Sequence, residues 1–307
     1  MLALVTGANR GIGHCVVDLI CAADPKARVF LAARNLAEGQ VAAAALSKVH
    51  GDRIVAVQLD VRSADSIKGA VATVSEATGG TLDVLVNNAG ILLESDEPAF
   101  GFEARETLAT NFEGVVAVTT AFLPLLLRSP RPGHILSTSS GVGARTLGLF
   151  GEADRAALRA PTQTTAELRA KLSKLIDALE ADPAHPYHAI PTVGYGISKL
   201  GVNCYTELLA REHPTLRANA CSPGFCNTGM CGPGYTGKRV PKEPALGADV
   251  FKQVLFGELG AGKTSTFFKE ASAPGTPLEA ARSVVDPWVQ CSEKARAQFE
   301  HVQGMRR

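Results

Sequence analysis

The chain alternates between short strand-like runs of apolar residues and longer segments in which apolar residues recur every three or four positions. Continuous apolar runs are typical of strands buried on both faces, and the wider spacing is typical of helices that bury one face. The strand-like runs are Leu2–Val5, Val29–Ala33, Ile54–Leu59, Leu82–Val86, Ile135–Thr138, Arg217–Cys221 and Ser265–Phe268. The helical segments are Cys15–Ala23, Gln40–Val49, Ser66–Thr78, Glu103–Leu127, Ala245–Phe256 and one that starts near Tyr195. This alternation predicts an α/β fold with a doubly wound parallel sheet.

The segment between about residues 145 and 192 is longer than a strand-to-helix connection needs. Thr164 and Glu167 have the spacing of a helix capping box. One apolar stripe follows, formed by Leu168, Leu172, Leu175, Ile176 and Leu179. We therefore predict a helical insertion packed on a single domain that spans residues 1–307, although this length is also compatible with two domains.

Composition and charge give no sign of an unusual environment. Hydrophobic residues make up 46% of the chain, charged residues 20%, and the net charge is +1. Near-neutrality gives no electrostatic reason to expect nucleic acid or an anionic membrane as partner. The N-terminus reads as a strand rather than a signal peptide, and no apolar run approaches the length of a membrane span, so we expect a cytoplasmic protein. The seven cysteines lack Cys-x-x-Cys pairs, which favours reduced structural thiols over a metal site.

A glycine-rich turn lies between the first strand and the first helix. It contains Gly7, Gly11 and Gly13 in the pattern Gly-x-x-x-Gly-x-Gly. A glycine-rich turn is often only a turn, but its position between a strand and a helix favours phosphate binding at the helix N-terminus. Arg34 follows the second strand where an acidic residue would bind the ribose of NAD, and Arg10 lies inside the turn, so the two cations favour NADP(H).

Further chemistry is predicted at strand ends and on one helix. Asp60, Asn87 and Ser140 each follow a strand, at the edge where ligands bind in open parallel sheets. Tyr195 and Lys199 lie four residues apart at the start of a helix, so their side chains share one face. An ammonium beside a phenol favours the ionised phenol and makes the tyrosine a candidate proton donor, although the spacing alone also arises by chance in surface helices.

A second nucleotide motif is present near the C-terminus. Residues 257–264 read Gly-Glu-Leu-Gly-Ala-Gly-Lys-Thr, which matches the phosphate loop of nucleotide hydrolases. That loop needs a strand before it and a helix after it. Here a helix precedes it and a β-branched, aromatic run follows, so we predict that the motif is not a nucleotide site. We expect residues 225–244, rich in Gly, Pro and Lys, to form a mobile substrate lid, and the tail from Pro287 to form a charged helix.

Taken together, these residues resemble the short-chain dehydrogenase/reductase family over about residues 2–230. Within that family the chain is most similar to the NADPH-dependent carbonyl reductases, which carry a similar helical insertion. The residues that carry the resemblance occur in family order: the glycine turn from Thr6 to Gly13, Asp60, the Asn-Asn-Ala-Gly run 87–90, Asn111, Ser140, Tyr195 with Lys199, and Pro223-Gly224.

The resemblance implies NADPH-dependent reduction of a ketone, aldehyde or quinone to an alcohol. Tyr195 would be the general acid, Lys199 would favour its ionised form and bind the nicotinamide ribose, Ser140 would bind the carbonyl oxygen, and Asn111 would hold a water in the proton relay. Residues implied in binding NADPH or NADP+ are Gly7, Asn9, Arg10, Gly11, Ile12, Gly13, Arg34, Asp60, Val61, Asn87, Ala89, Gly90, Tyr195, Lys199, Pro223, Gly224, Phe225 and Thr228. The small-molecule carbonyl substrate would contact Ser140, Phe225 and Met230.

The resemblance also bears on the oligomeric state and on an alternative function. The insertion of the carbonyl reductases blocks the usual tetramer interface, so the resemblance implies a monomer. A non-enzymatic NADPH-binding sensor or scaffold with the same fold is the alternative function, and the retained tyrosine and lysine favour the enzyme.

Overall fold

The computed structural model describes residues 1–93, 100–148, 150–189, 192–231, 240–258 and 260–269. Its strands form one parallel sheet in the order β3-β2-β1-β4-β5-β6-β7. The strands are β1 Leu2–Thr6, β2 Arg28–Ala33, β3 Ile54–Gln58, β4 Val84–Asn87, β5 His134–Thr138, β6 Arg217–Ser222 and β7 Thr266–Lys269. The predicted doubly wound parallel sheet is confirmed.

Helices cover both faces of the sheet. They are α1 Gly11–Ala23, α2 Leu36–His50, α3 Ala64–Thr78, α4 Phe100–Leu108, α5 Gly114–Leu127, α6 Gly141–Gly148, α7 Glu152–Leu158, α8 Thr165–Ala181, α9 Val193–Glu212 and α10 Pro244–Leu255. Alternate strand residues face opposite sides, as the pleat requires. Ala3 and Val5 join the core beneath α1, α2 and α10, while Leu4 and Phe30 join the core beneath α3, α5 and α9.

The strand order places a crevice beside β1. The chain runs from β1 outward to β3 and then crosses back to β4 on the other side of β1. At such a switch point the connections that leave β1 and β4 diverge to opposite faces, which opens a space at the carboxyl ends of these strands. The glycine turn after β1 and the Asn-Ala-Gly run after β4 therefore border the same crevice.

Several predicted boundaries were wrong. Helix α1 begins at Gly11 rather than Cys15, and α2 begins at Leu36 rather than Gln40, because Asn35 caps it through Oδ1. A helix that the sequence did not predict, α6, begins at Gly141 directly after Ser140. The predicted helix Glu103–Leu127 begins at Phe100 and is interrupted by one π-helical turn, Ala109–Glu113.

The predicted insertion contains α7 and α8, and α6 extends into it. Thr164 and Glu167 form the expected capping box at the start of α8. The apolar stripe of α8 is buried through Leu168, Leu172, Ile176 and Leu179, and Leu175 packs against the same core. Helix α8 lies on α4 and α9, so the insertion covers the faces of those two helices.

The structural context of the hydrolase-type motif agrees with its rejection. Helix α10 ends at Leu255, and the motif is followed by a turn and by β7, so no helix N-terminus follows Lys263 in the described residues. Residues 232–239 of the predicted lid and the predicted tail helix lie outside the described residues.

Among the residues that the structure describes, one helical stretch, Phe100–Leu127, is long and apolar enough to cross a membrane, whereas no run of that length was expected from the sequence. Of its most apolar window, 61% is buried inside the fold. Core helices of soluble proteins meet the same criteria, so the stretch is weak evidence for a span.

Candidate active site

Most of the predicted site residues lie at or just beyond the carboxyl ends of strands. Cofactor candidates follow β1, β2, β3, β4 and β6, and Ser140 follows β5. Since the strands are parallel, these connections meet at one edge of the sheet. Tyr195 and Lys199 reach the same edge from the first turns of α9.

The glycine turn leaves no room for side chains at two positions. Gly7 has φ +62°, and a Cβ on it would lie 2.8 Å from Cα of Ala89. A Cβ on Gly13 would lie 2.5 Å from Nδ2 of Asn88 and 2.6 Å from the carbonyl oxygen of Gly7. Glycine is therefore required for α1 to start close against the end of β4, with its N-terminal amides at the crevice.

Two residues outside the predicted set hold this turn in place. The hydroxyl of Thr6 accepts hydrogen bonds from the backbone N–H groups of Asn88 (2.9 Å) and Ala89 (3.0 Å). Nδ2 of Asn88 donates to the carbonyl oxygens of Thr6 (3.0 Å) and Gly7 (3.2 Å). Thr6 and Asn88 thus tie together the two connections that border the crevice. Thr6-Gly7 and Asn87-Asn88 occur in the motifs, but nothing local indicates that they pair.

The connection after β6 lies against the glycine turn. A Cβ on Gly11 would lie 3.4 Å from Cγ2 of Thr228, and one on Gly229 would lie 3.9 Å from Cζ of Arg10. Thr228 is therefore placed beside the turn, as a cofactor-binding role requires. The base of the predicted lid is closed by backbone bonds from Asn227 N to Lys242 O (2.7 Å) and from Lys242 N to Phe225 O (3.0 Å).

The two predicted arginines share a pocket of about 210 Å³. Its lining residues are Asn9, Arg10, Arg34, Asn35 and Glu38. The structure thus brings together the cations that the sequence placed on separate connections. It also adds a carboxylate, Glu38, which the sequence analysis did not include.

Lys199 and Tyr195 share one face of α9, as predicted. Nζ of Lys199 lies 5.5 Å from the ring centroid of Tyr195. The ammonium donates a hydrogen bond of 2.8 Å to the carbonyl oxygen of Thr138, at the end of β5. That bond anchors the start of α9 to the sheet beside the crevice.

Burial shifts the pKa of Lys199 and that of its neighbour Cys221. Desolvation lowers the pKa of Lys199 from its usual value near 10.5 to about 8, and the neighbouring Cys221 opposes this shift. The lysine therefore remains mostly cationic at neutral pH. Desolvation raises the pKa of Cys221 well above its usual range, so its thiol is neutral beside the ammonium.

The two serines after β5 have different roles. Ser139 is buried and donates through Oγ to the carbonyl oxygen of Lys199 (3.3 Å). Ser140 is partly exposed, and its Oγ accepts a hydrogen bond from Val142 N (3.2 Å) at the start of α6. A hydroxyl has one proton to donate, and among the described residues that of Ser140 has no acceptor. Ser140 is thus the hydroxyl available to a ligand.

Helix α6, which follows Ser140, packs closely on α9, which carries Tyr195. A Cβ on Gly143 would lie 2.6 Å from the carbonyl carbon of Lys199, and a Cβ on Gly196 would collide with Oγ1 of Thr146. The small residues let α6 and α9 pack backbone against backbone. The start of α6, where Ser140 lies, is therefore held against the first turns of α9.

Asn111 lies in the π-helical turn, a feature frequent at functional sites. Its Oδ1 accepts from Ile91 N (2.8 Å), and its Nδ2 donates to Ile91 O (2.8 Å) and to Oγ of Ser198 (3.1 Å). Ser198 in turn donates to the carbonyl oxygen of Tyr195 (2.7 Å). Both amide protons of Asn111 are thus engaged, so a water could be held through Oδ1 or the backbone. Ser198 was not predicted and links the π turn to α9.

The other residues predicted to contact the cofactor or the substrate face the crevice less directly. Nδ2 of Asn87 donates to Oγ1 of Thr119 on α5 (2.9 Å) and is buried, so its side chain faces the core. Val61 packs on Gly114, where a Cβ would lie 2.8 Å from Cγ2 of Val61. Pro223 is buried near Gly247, while the side chain of Met230 is 38% exposed after the start of the lid.

Comparison with known proteins finds related sequences. The sequence model of the family described as short chain dehydrogenase matches residues 1–171. Carbonyl reductase (NADPH) 1 of Sus scrofa is 35% identical over 81% of this chain and 84% of its own.

Solved structures show the same fold. Salutaridine reductase from Papaver somniferum superposes with a TM-score of 0.70 at 24% identity, covering 87% of this chain and 98% of that one. Menthone neomenthol reductase from Mentha piperita superposes with a TM-score of 0.66 at 25% identity over the same shares of the two chains. On the family match and the carbonyl reductase relative, this chain belongs to the short-chain dehydrogenase/reductase family.

Proposed function

We propose that this protein is an NADPH-dependent carbonyl reductase that converts a ketone, aldehyde or quinone to an alcohol. The observation that carries the proposal is the position of the Lys199 ammonium, bonded to Thr138 O at the carboxyl end of β5 and 5.5 Å from the Tyr195 ring. A cation fixed beside a phenol at a dinucleotide crevice is suited to proton transfer. The 35% identical relative is named a carbonyl reductase that uses NADPH.

The residues of the crevice fit the proposed cofactor. The glycine turn excludes side chains at Gly7 and Gly13, which leaves backbone N–H groups at the start of α1 for a pyrophosphate. Arg10 and Arg34 line one pocket, and two guanidinium groups suit a 2′-phosphate. When bound, NADPH supplies the hydride that reduces the carbonyl carbon.

The proton comes from the chain's own residues. Tyr195 donates its phenolic proton to the carbonyl oxygen, and the Lys199 ammonium stabilises the phenolate that remains. Ser140 donates its free hydroxyl proton in a hydrogen bond to the same oxygen, which stabilises the negative charge that develops there. Asn111 and Lys199 both lie close to Gly90, where a Cβ would lie 3.0 Å from Asn111 Oδ1 and 3.7 Å from Lys199 Nζ. We propose that a water bound beside these two groups returns a proton to Tyr195.

Two residues in the connection after β6 are candidates for contact with the substrate. Phe225 is partly buried at the base of the lid and Met230 is partly exposed, so both offer apolar surface to a substrate. We propose them as part of the substrate wall.

We also propose that the protein is a monomer in the cytoplasm. Helix α8 covers α4 and α9, and ion pairs at its surface join Arg105 to Asp177 (2.9 Å) and Arg169 to Glu113 (2.6 Å). Exposed pairs contribute little each, so the buried apolar stripe of α8 is what holds the cover in place. Light scattering in solution tests the monomer.

A substrate panel tests the proposed function. Purified protein is mixed with NADPH and with aromatic ketones, aldehydes and quinones, and the loss of NADPH absorbance is followed. We expect turnover of at least one class, with a preference for NADPH over NADH that Arg34→Asp reverses. NADPH binding without turnover across the panel would instead favour the non-enzymatic alternative, and ATP hydrolysis that Lys263→Ala abolishes would favour the hydrolase.

A further inference from the structure

The pocket around Arg10 and Arg34 contains one negative charge, that of Glu38. The proposed function uses the two arginines for the 2′-phosphate and assigns nothing to this carboxylate. Its position and its hydrogen bond suggest a separate role.

Local structure determines where Glu38 lies. Oδ1 of Asn35 accepts from the backbone N–H groups of Ala37 (2.9 Å) and Glu38 (3.3 Å), which starts α2 at Leu36. Glu38 therefore lies in the first turn of α2, directly after the connection that carries Arg34. The positive end of a helix favours an anion at this place.

The carboxylate is held across the pocket by the glycine turn. Nδ2 of Asn9 donates to Oε2 of Glu38 at 2.7 Å. Within the described part of the chain, Glu38 bonds to Asn9 rather than forming an ion pair with either arginine. Both guanidinium groups are thus left for a ligand, while the pocket keeps a fixed negative charge on its wall.

A phosphate and a hydroxyl respond differently to this charge. A 2′-phosphate carries close to two negative charges, so a neighbouring carboxylate repels it and offsets part of its attraction to the arginines. A ribose 2′-hydroxyl carries no charge and can donate a hydrogen bond to a carboxylate. The same carboxylate therefore weakens the binding of a 2′-phosphorylated nucleotide and accommodates a nucleotide with a free 2′-hydroxyl.

We infer that Glu38 is a specificity-determining residue that reduces the preference of this pocket for a 2′-phosphorylated nucleotide over its unphosphorylated counterpart. The inference rests on the proposed NADPH site. It predicts a natural preference for NADPH that is smaller than two arginines alone would give.

The test removes the charge and keeps the hydrogen bond. In Glu38→Gln the side-chain carbonyl oxygen still accepts from Asn9, and the backbone bond to Asn35 is unaffected. The matched control is Glu152→Gln, an exposed glutamate in the first turn of α7 on the insertion, which makes the same change in net charge. Adenosine 2′,5′-bisphosphate and 5′-AMP are titrated into each protein in a calorimeter, so that the readout is binding rather than turnover.

We expect Glu38→Gln to raise the ratio of the 5′-AMP to the adenosine 2′,5′-bisphosphate dissociation constant about threefold to tenfold, with Glu152→Gln unchanged. An unchanged or lower ratio in Glu38→Gln, while the natural protein binds both nucleotides, would overturn the role of Glu38 and leave the NADPH site standing. Failure of the natural protein to bind either nucleotide would overturn the site and the inference together.

Discussion

A titratable group is buried at the carboxyl ends of the strands and another at their amino ends, and burial has a different consequence for each. At the carboxyl edge, burial lowers the pKa of Lys199 to about 8, which leaves it cationic at neutral pH next to Tyr195. At the amino edge, burial and the neighbouring Arg217 lower the pKa of His134 to about 3, which leaves it neutral at the start of β5. Nδ2 of Asn219 lies 3.0 Å from Nε2 of His134.

The difference shows that a perturbed pKa does not by itself mark a catalytic group. Structural groups in protein cores are shifted by the same desolvation. Lys199 faces a crevice together with a partly exposed tyrosine and an available hydroxyl, whereas His134 is 1% exposed between two strands. The neighbouring groups and their access to solvent distinguish a candidate catalytic residue from one that is only packed in the core.

Replacing Lys199 should have the largest effect. Lys199→Met removes both the charge beside Tyr195 and the proposed ribose contact, and we expect kcat/KM to fall about 10³-fold. His134→Asn at the other edge is the control and should retain most activity. Comparable losses in both variants would contradict the contrast between the two edges.

The same lysine predicts a pH dependence. Lys199 is charged below its pKa of about 8 and neutral above it. Reductase activity of the natural protein should therefore decline as pH rises through about 8, and this decline should be absent from the residual activity of Lys199→Met. A pH–rate profile of kcat/KM measures it.

Adding a side chain to the glycine turn should have the next largest effect, a loss of NADPH affinity. A Cβ at Gly13 would meet Asn88 and the backbone of Gly7, so Gly13→Ala must displace the turn, and we expect NADPH affinity to fall about 10-fold or more. Gly69→Ala, within α3, has nothing within 4 Å of its new Cβ and should leave affinity unchanged while slightly stabilising the helix. Equal NADPH affinities in the two variants, measured by fluorescence titration, would argue against cofactor binding at this turn.

The smallest effect concerns stability at acid pH. Because His134 stays neutral in the folded state down to about pH 3 but takes up a proton near pH 6.5 when unfolded, its contribution to stability is present above pH 6.5 and is lost as pH falls. The free energy of unfolding should therefore fall by up to about 1.4 kcal/mol per pH unit on account of this group. Urea titrations at several pH values between 6 and 4 give the free energy of unfolding at each pH. Its decrease with falling pH should be less steep in His134→Asn than in the natural protein. An unchanged slope would mean that His134 is protonated in the folded protein.

Local rules account for what the sequence predicted well. The strand–helix alternation determined the sheet, and helix geometry was enough to place Tyr195 beside Lys199. The bonds between Thr6 and Asn88 could not be read in the same way because they join connections about eighty residues apart.

Missed signals account for the remaining differences. The π turn at Asn111 is fixed by contacts to Ile91 and Ser198 rather than by a sequence pattern. Asn35 followed by Glu38 has the spacing of an N-cap and its third helical residue. Because the predicted helix began at Gln40, Glu38 lay outside it and was not among the residues predicted to bind the cofactor.

A single-turnover comparison of the natural protein with Tyr195→Phe tests the central claim most directly. Each protein is saturated with NADPH and mixed rapidly with a carbonyl substrate of the natural protein, while NADPH affinity is measured separately. The account predicts that Tyr195→Phe binds NADPH with unchanged affinity and reduces the substrate at least about 10²-fold more slowly. Reduction at the natural rate would show that the proton comes from elsewhere and would contradict the account.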